Sequence, residues 1–396
     1  MKWRIFLLVF LLIPAVRAAG QPSLKVTADF PGGNVVVKSI TNDTVRFEPD
    51  LAHTEGLWFY WYFKISGISG KTVTFVSGHN NVFTKFGPAY SINNDHTWKW
   101  YGENRVDRNS FTYTFTAKDT VAWFSMAFPY TDQDFIKFVS HVPNGCLLVM
   151  DTLGLSEEKR VIRKVMIPAL SGEPMHRVLI TARHHACEMM ASYVLEGIIR
   201  AVLNDRNLQY MRDHTEFMII PFVDTDGVEN GDQGKNRIPR DHNRDYDGTS
   251  VHASTAAMRQ TVPGWSAGIL KVALDLHCPW IHGDYNECIY SVGNSDPDLQ
   301  SRQVVFSKLL ENNVRGELKY DHNDFLPFGK SWNTADNYTK GTGFTRWAGS
   351  LEGIGVATTL EFPYANISGT MVSKDNSRIF GEAVAYTIQE YLLKGN

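Results

Sequence analysis

From residue 23 to about residue 130, apolar residues come in short runs at 24–28, 35–39, 45–48, 57–65, 72–77, 97–101, 111–116 and 121–127. Gly, Asn, Asp and Lys turns separate them. Such spacing predicts an antiparallel β-sandwich. The run from Trp58 to Phe63, WFYWYF, fits a sheet core with its opposite face covered by a neighbour. A sugar-stacking platform is the other use of such a cluster. After Pro129-Tyr130-Thr131 the period changes, and 132–142 carries apolar residues at helical spacing. Beyond it, strand patterns at 147–150, 161–167, 177–182, 216–223, 269–275 and 355–362 alternate with helical patterns at 188–203, 297–312 and 377–393. This alternation predicts an α/β domain whose mostly parallel mixed sheet is covered by helices on both faces. In such sheets reactive groups collect at the carboxyl ends of strands.

Length sharpens the partition: 396 residues exceed one ordinary core, so two domains are expected, at 19–130 and 131–396. The first eighteen residues stand apart. Lys2 and Arg4 precede an apolar run at 5–14, and Val16-Arg17-Ala18 suits cleavage after Ala18, so 1–18 reads as a signal peptide and the protein as exported, periplasmic or secreted. No later stretch is apolar for long enough to span a membrane. Without Lys2, Arg4 and Arg17 the formal charge moves from −3 to −6, which gives nucleic acid no basic surface. Cys146, Cys187, Cys278 and Cys288 lack CxxC spacing and are too few for a disulfide scaffold.

Chemistry enters with Thr181 to Glu188, TARHHACE, where an apolar strand passes into a helix. His185 and Glu188, three apart, can turn toward one point, and Asp275-Leu276-His277 brings another imidazole to a strand end. Two imidazoles and a carboxylate, with a fourth position open to water, form a hydrolytic zinc set. His184 could stand in for His185, and His282 for His277. Glu361, a lone acid closing an apolar strand, is costly to bury without a task or a partner, and it is placed to act as a base or as an ion-pair member. Asn243-Arg244, in a loop too polar for a core, can clamp a planar carboxylate.

His185-x-x-Glu188, Asp241-x-Asn243-Arg244, Asp275-x-His277 and Thr359-Leu360-Glu361, in that order, resemble the metallocarboxypeptidases. The cytosolic carboxypeptidase-like branch, with its N-terminal β-sandwich, fits best: TAR-x-H-x-x-E is close to its first motif, and Phe128-Pro129-Tyr130-Thr131 to its domain boundary. The resemblance implies one zinc ion on His185, Glu188 and His277. It also implies Glu361 as general base and acid, Asn243 and Arg244 on the peptide carboxylate, and Asp241 as the carboxylate that fixes the His185 tautomer. The arginine this family sets upstream to hold the oxyanion would fall on Gly234, so Arg237 is the substitute; Tyr338 matches the mobile tyrosine only loosely. Arg346, fifteen residues before Glu361, stands where the family forms the side-chain pocket, implying a preference for Glu or Asp termini, or else it is a solvent-exposed helix-start arginine. The expected activity is release of C-terminal residues from peptides or proteins. A zinc amidase acting on muropeptides or N-acyl amino acids is the second reading, and a non-catalytic glycan- or peptide-binding protein the third.

Overall fold

The computed structural model describes residues 23–93, 97–103 and 105–394, so the signal-peptide reading lies outside the described residues. Among the described residues, nine strands precede Tyr130: β1 (Lys25–Thr27), β2 (Val36–Thr41), β3 (Thr44–Glu48), β4 (Tyr62–Ser66), β5 (Thr72–Ser77), β6 (Ala89–Ile92), β7 (Lys99–Trp100), β8 (Ser110–Thr114) and β9 (Val121–Ser125). They form two sheets, ordered β1-β4-β9-β6-β7 and β2-β3-β5-β8. Alternating side chains supply the core between them, where Phe75 stacks on Phe111 at 4.7 Å and Phe47 meets the edge of Trp61 at 5.1 Å.

Two departures from the sequence pattern have local causes. One pair, β3 with β5, is parallel, because the chain crosses to the other sheet as β4 before returning. The expected strand over 57–65 begins only at Tyr62, since the Tyr60 backbone is occupied by the Gln233 amide: Tyr60 N donates to Oε1 at 2.8 Å and Nε2 donates to Tyr60 O at 2.8 Å. The strand β6 follows Gly87-Pro88 and carries half-polar residues, too weak a pattern to predict.

A third, seven-stranded sheet contains β10 (Val149–Leu155), β11 (Val161–Ile167), β12 (His176–Ala182), β13 (Thr215–Ile220), β14 (Leu270–His277), β15 (Tyr290–Val292) and β16 (Val356–Glu361), in the order β10-β11-β13-β12-β14-β16-β15. Its central four strands are parallel and its edges antiparallel. Helices flank both faces: α1 (Asp132–His141), α2 (Met189–Asn204), α3 (Gln209–His214), α4 (Thr225–Asn230), α5 (Ala253–Ser266), α6 (Pro297–Asn313), α7 (Phe344–Ala348) and α8 (Lys374–Lys394). Successive strand residues serve opposite faces. Val178 and Ile180 join the core shared with α2 and α8, while Leu179 joins Met258, Val262 and Phe344 beneath α5 and α7. Because both faces are covered, these strands read as unbroken apolar runs. α5 has no counterpart in the sequence pattern, because its apolar spacing is sparse and Pro263 lies inside it.

α2 and α8 cross closely through two glycines. A Cβ on Gly197 would stand 2.0 Å from Arg378 O, and one on Gly381 2.1 Å from Val194 O. That contact seats α2 behind the strand-to-helix turn. One buried cluster runs from Val45 in the sandwich to Leu392 in α8, so the sheets are separate but their packing is continuous.

Candidate metal centre

The strand order reverses at β12, whose neighbours are β13 on one side and β14 on the other, and a crevice opens at such a point. The polar residues of TARHHACE are held there by specific partners. Thr181 Oγ1 donates to Asp275 Oδ1 at 2.8 Å. Arg183, in the left-handed region at φ 59°, donates to Tyr130 O and Ala186 O, both at 3.0 Å, and ties the loop shut. His184 is wholly buried, its Nδ1 2.8 Å from Asp275 and its Nε2 2.7 Å from the Tyr246 hydroxyl. Both of its nitrogens are thereby used.

His185 and Glu188 face the other way. Glu188 caps the start of α2 and places Oε1 2.9 Å from His185 Nδ1 and Oε2 2.9 Å from His277 Nδ1; the two Nδ1 atoms are 3.2 Å apart. Glu188 Oε2, although close to His277, makes no aligned hydrogen bond, which is how atoms stand when they aim at a shared third partner. Ligand atoms about 2.0–2.1 Å from a tetrahedral ion lie roughly 3.3 Å from one another. His185, Glu188 and His277 fit that requirement and are chemically a zinc set. His282 joins no such group among the described residues.

Carboxylates hold the outward nitrogens of both rings: His185 Nε2 is 3.2 Å from Asp241, and His277 Nε2 is 2.6 Å from Asp275. Each ring is therefore turned with Nδ1 inward. Burial opposes ionisation of Asp241, yet His185 and Arg244 hold it well below the usual carboxylate range; burial likewise opposes Asp275, and His184 and His277 win. The role of Asp275 was missing from the sequence reading, which used it only to place His277, although its position two residues before that ligand was visible.

Glu361 sits beside His277 in the parallel β14–β16 register, 7% exposed, with Oε2 lacking a hydrogen-bond partner among the described residues. Burial raises its pKa against the opposing charges of His277 and Lys235. It lines a cavity of about 330 Å³ with Trp58, His185, Lys235, Arg244 and Trp280.

Arg237, expected at the oxyanion, does not face this cavity. It donates to Asp224 at 3.0 Å and to Asp232 at 2.7 Å, because two nearly buried aspartates require a cation there. Lys235 faces the cluster instead, its ammonium on Glu188 and on Cys278 O, 2.9 Å away. Gly234 makes this possible: at φ 77° it lies so close to the ligand loop that a Cβ would be 2.1 Å from Ala186 N. The signal for Lys235 was only its adjacency to that glycine.

Arg244 lines the cavity while donating to Asn337 O at 2.9 Å, and its guanidinium lies 4.8 Å from the Tyr338 ring centre. Asn243 turns inward, with Oδ1 accepting from Phe344 N at 2.8 Å and Nδ2 3.1 Å from His277 Nε2. Tyr338 donates to Asn333 at 3.0 Å and shares a narrow recess with Arg346, which is exposed on α7 and outside the metal-site cavity.

Residues 142–268 match the profile described as zinc carboxypeptidase. Cytosolic carboxypeptidase 6 of Homo sapiens is 26% identical over 304 residues, 72% of this chain and 56% of that protein. Cytosolic carboxypeptidase 3 of Bos taurus is 24% identical over 270 residues, 62% of this chain and 25% of that protein. The chain thus spans about half or less of the length of these curated relatives. The metallo-carboxypeptidase of Burkholderia cenocepacia has the same fold at TM-score 0.77, 18% identity, 95% coverage of this chain and 100% of that one. The Pseudomonas aeruginosa metallo-carboxypeptidase, solved with (2-guanidinoethylmercapto)succinic acid, follows at TM-score 0.71, 16% identity, 94% coverage of this chain and 99% of that one.

Proposed function

We propose, from the match of residues 142–268 to the zinc carboxypeptidase profile, that the protein is a zinc metallocarboxypeptidase that releases C-terminal residues from peptides. The observation that carries this reading is the convergence of His185, Glu188 and His277 next to an unpartnered, buried Glu361. His185, Glu188 and His277 would hold a zinc ion, which would supply Lewis acidity to a water molecule and to the scissile carbonyl. Glu361, its proton affinity raised by burial, takes the proton from that water and returns it to the leaving amine. Lys235, in place of Arg237, offers the cation that faces the developing oxyanion. Arg244 fixes the chain-end carboxylate, and Asn243 braces His277 and the start of α7. Asp241 and Asp275 keep the two imidazoles in one tautomer.

Acidic C-termini are the preferred substrates in this reading, through Arg346. Since Arg346 is exposed and screened, its discrimination is expected to be about tenfold or less. The domain partition at 130/131 and export by residues 1–18 belong to the same proposal; N-terminal sequencing of secreted material beginning at Ala19 supports export, and a retained Met1 refutes it. Zinc analysis with product mass spectrometry on a C-terminal peptide library tests the activity. Single-residue release that stops in a chelator and returns with zinc is expected; cleavage by metal-free protein overturns the reading.

A further inference from the structure

A second cavity, of about 320 Å³, opens at the amino ends of the same three strands that carry the metal-site residues. His176 begins β12, Lys271 lies in β14, and Ile354 precedes β16; Val305 and Leu309 of α6 and Tyr391 of α8 complete the wall. The metal centre is at the opposite ends of these strands, so this cavity is no part of it.

Two observations point to a ligand. His176 is 4% exposed, yet neither ring nitrogen has a hydrogen-bond partner among the described residues. Covered polar groups are almost always satisfied, and a neutral imidazole has one N–H and one lone pair to place. The second is charge. No Asp or Glu lines the cavity, Lys394 at its rim is paired with Glu390 at 2.7 Å, and Lys271 donates only to Gly353 O at 3.2 Å, with no carboxylate partner among the described residues. Apart from the paired Lys394, one ammonium and an unsatisfied imidazole thus face a pocket whose other side chains are aliphatic or aromatic, of the size of small-molecule sites.

We infer that this cavity binds a small organic carboxylate with a hydrophobic body, its oxygens meeting His176 and Lys271 and its alkyl or aryl part lying along Val305, Leu309 and Ile354. A carboxylate is favoured over a cation by Lys271, and over inorganic anions by the apolar wall, which an inorganic ion leaves exposed to water. No bond is made or broken.

Calorimetric titration of the full chain with octanoate tests this, with 1-octanol and octylammonium as controls. Saturable octanoate binding is expected, weakened at least about tenfold by His176→Leu and by Lys271→Met, with little binding of octylammonium. Val305→Trp, at a half-exposed wall position that tolerates bulk, is expected to abolish binding without lowering the melting temperature, which keeps the test open should His176→Leu fail to fold. Octanol binding as tightly as octanoate, binding indifferent to all three substitutions, or no saturation up to about 10 mM would overturn the inference and leave the imidazole to water alone.

Discussion

The sandwich and the carboxyl ends of the seven-stranded sheet both bury large side chains, but they are held by opposite physics. Between the sandwich sheets Phe47, Trp61, Phe63, Phe75 and Phe124 exclude water mainly through apolar area, with the one indole N–H of Trp61 given to Val82 O at 2.7 Å. At the sheet ends Glu188, His184, Asp275 and His277 are equally buried but titratable, and each is tolerated only because a partner faces it. The first region converts sequence into stability and the second into chemistry. The two meet where Trp58, at the head of the sandwich's aromatic run, packs on Trp280 at 5.0 Å and walls the metal-site cavity.

That contrast can be broken experimentally. The largest effect is expected from Glu361→Gln, which keeps the shape but removes the base: kcat should fall by about 10²–10⁴-fold, with zinc per chain and melting temperature unchanged. Full turnover would remove Glu361 from the mechanism. In the sandwich the dissociation runs the other way. Trp61→Ala should cost about 3–5 kcal/mol in denaturant unfolding, while the folded fraction keeps its zinc and its kcat.

Asp275→Asn gives a smaller effect and tests whether the outer carboxylate acts on the ligand. Zinc affinity, measured by chelator competition, should drop about 10–100-fold with less loss of stability than Trp61→Ala; unchanged affinity would reduce Asp275 to a packing role. The smallest effect concerns the thiols where the regions join. All four cysteines are free, and burial pushes Cys187 up to about 11. At pH 8 only about one Cys187 in a thousand is then thiolate, and its alkylation should rise only as the pH climbs toward 11. Exposed Cys146 should react first, with Cys187 silent in native protein; labelling of Cys187 at pH 8 would show that the region opens.

Much of the fold was legible because period and burial agree. The runs at 72–77 and 161–167 coincide with β5 and β11, and the helix expected from Glu188 starts one residue later, at Met189. Where a side chain from elsewhere takes over the backbone, as Gln233 does at Tyr60, local pattern misleads. That His185, Glu188, His277 and Glu361 meet was legible for a different reason: polar residues at or just past the ends of apolar strands are too costly to be accidental.

Residue type and order, read along one dimension, determined the two sheet classes and the ligand types, because the hydrophobic period and the cost of burying charge are local properties. Which cation faces the metal triad was decided only in three dimensions. Arg237 and Lys235 are two residues apart in one loop, and nothing in that interval distinguishes them; Asp224 and Asp232 claim the first, and the close seat of Gly234 against Ala186 delivers the second. The same holds for His184 and His185, neighbours in sequence that a single strand-to-helix turn sends to opposite sides of His277.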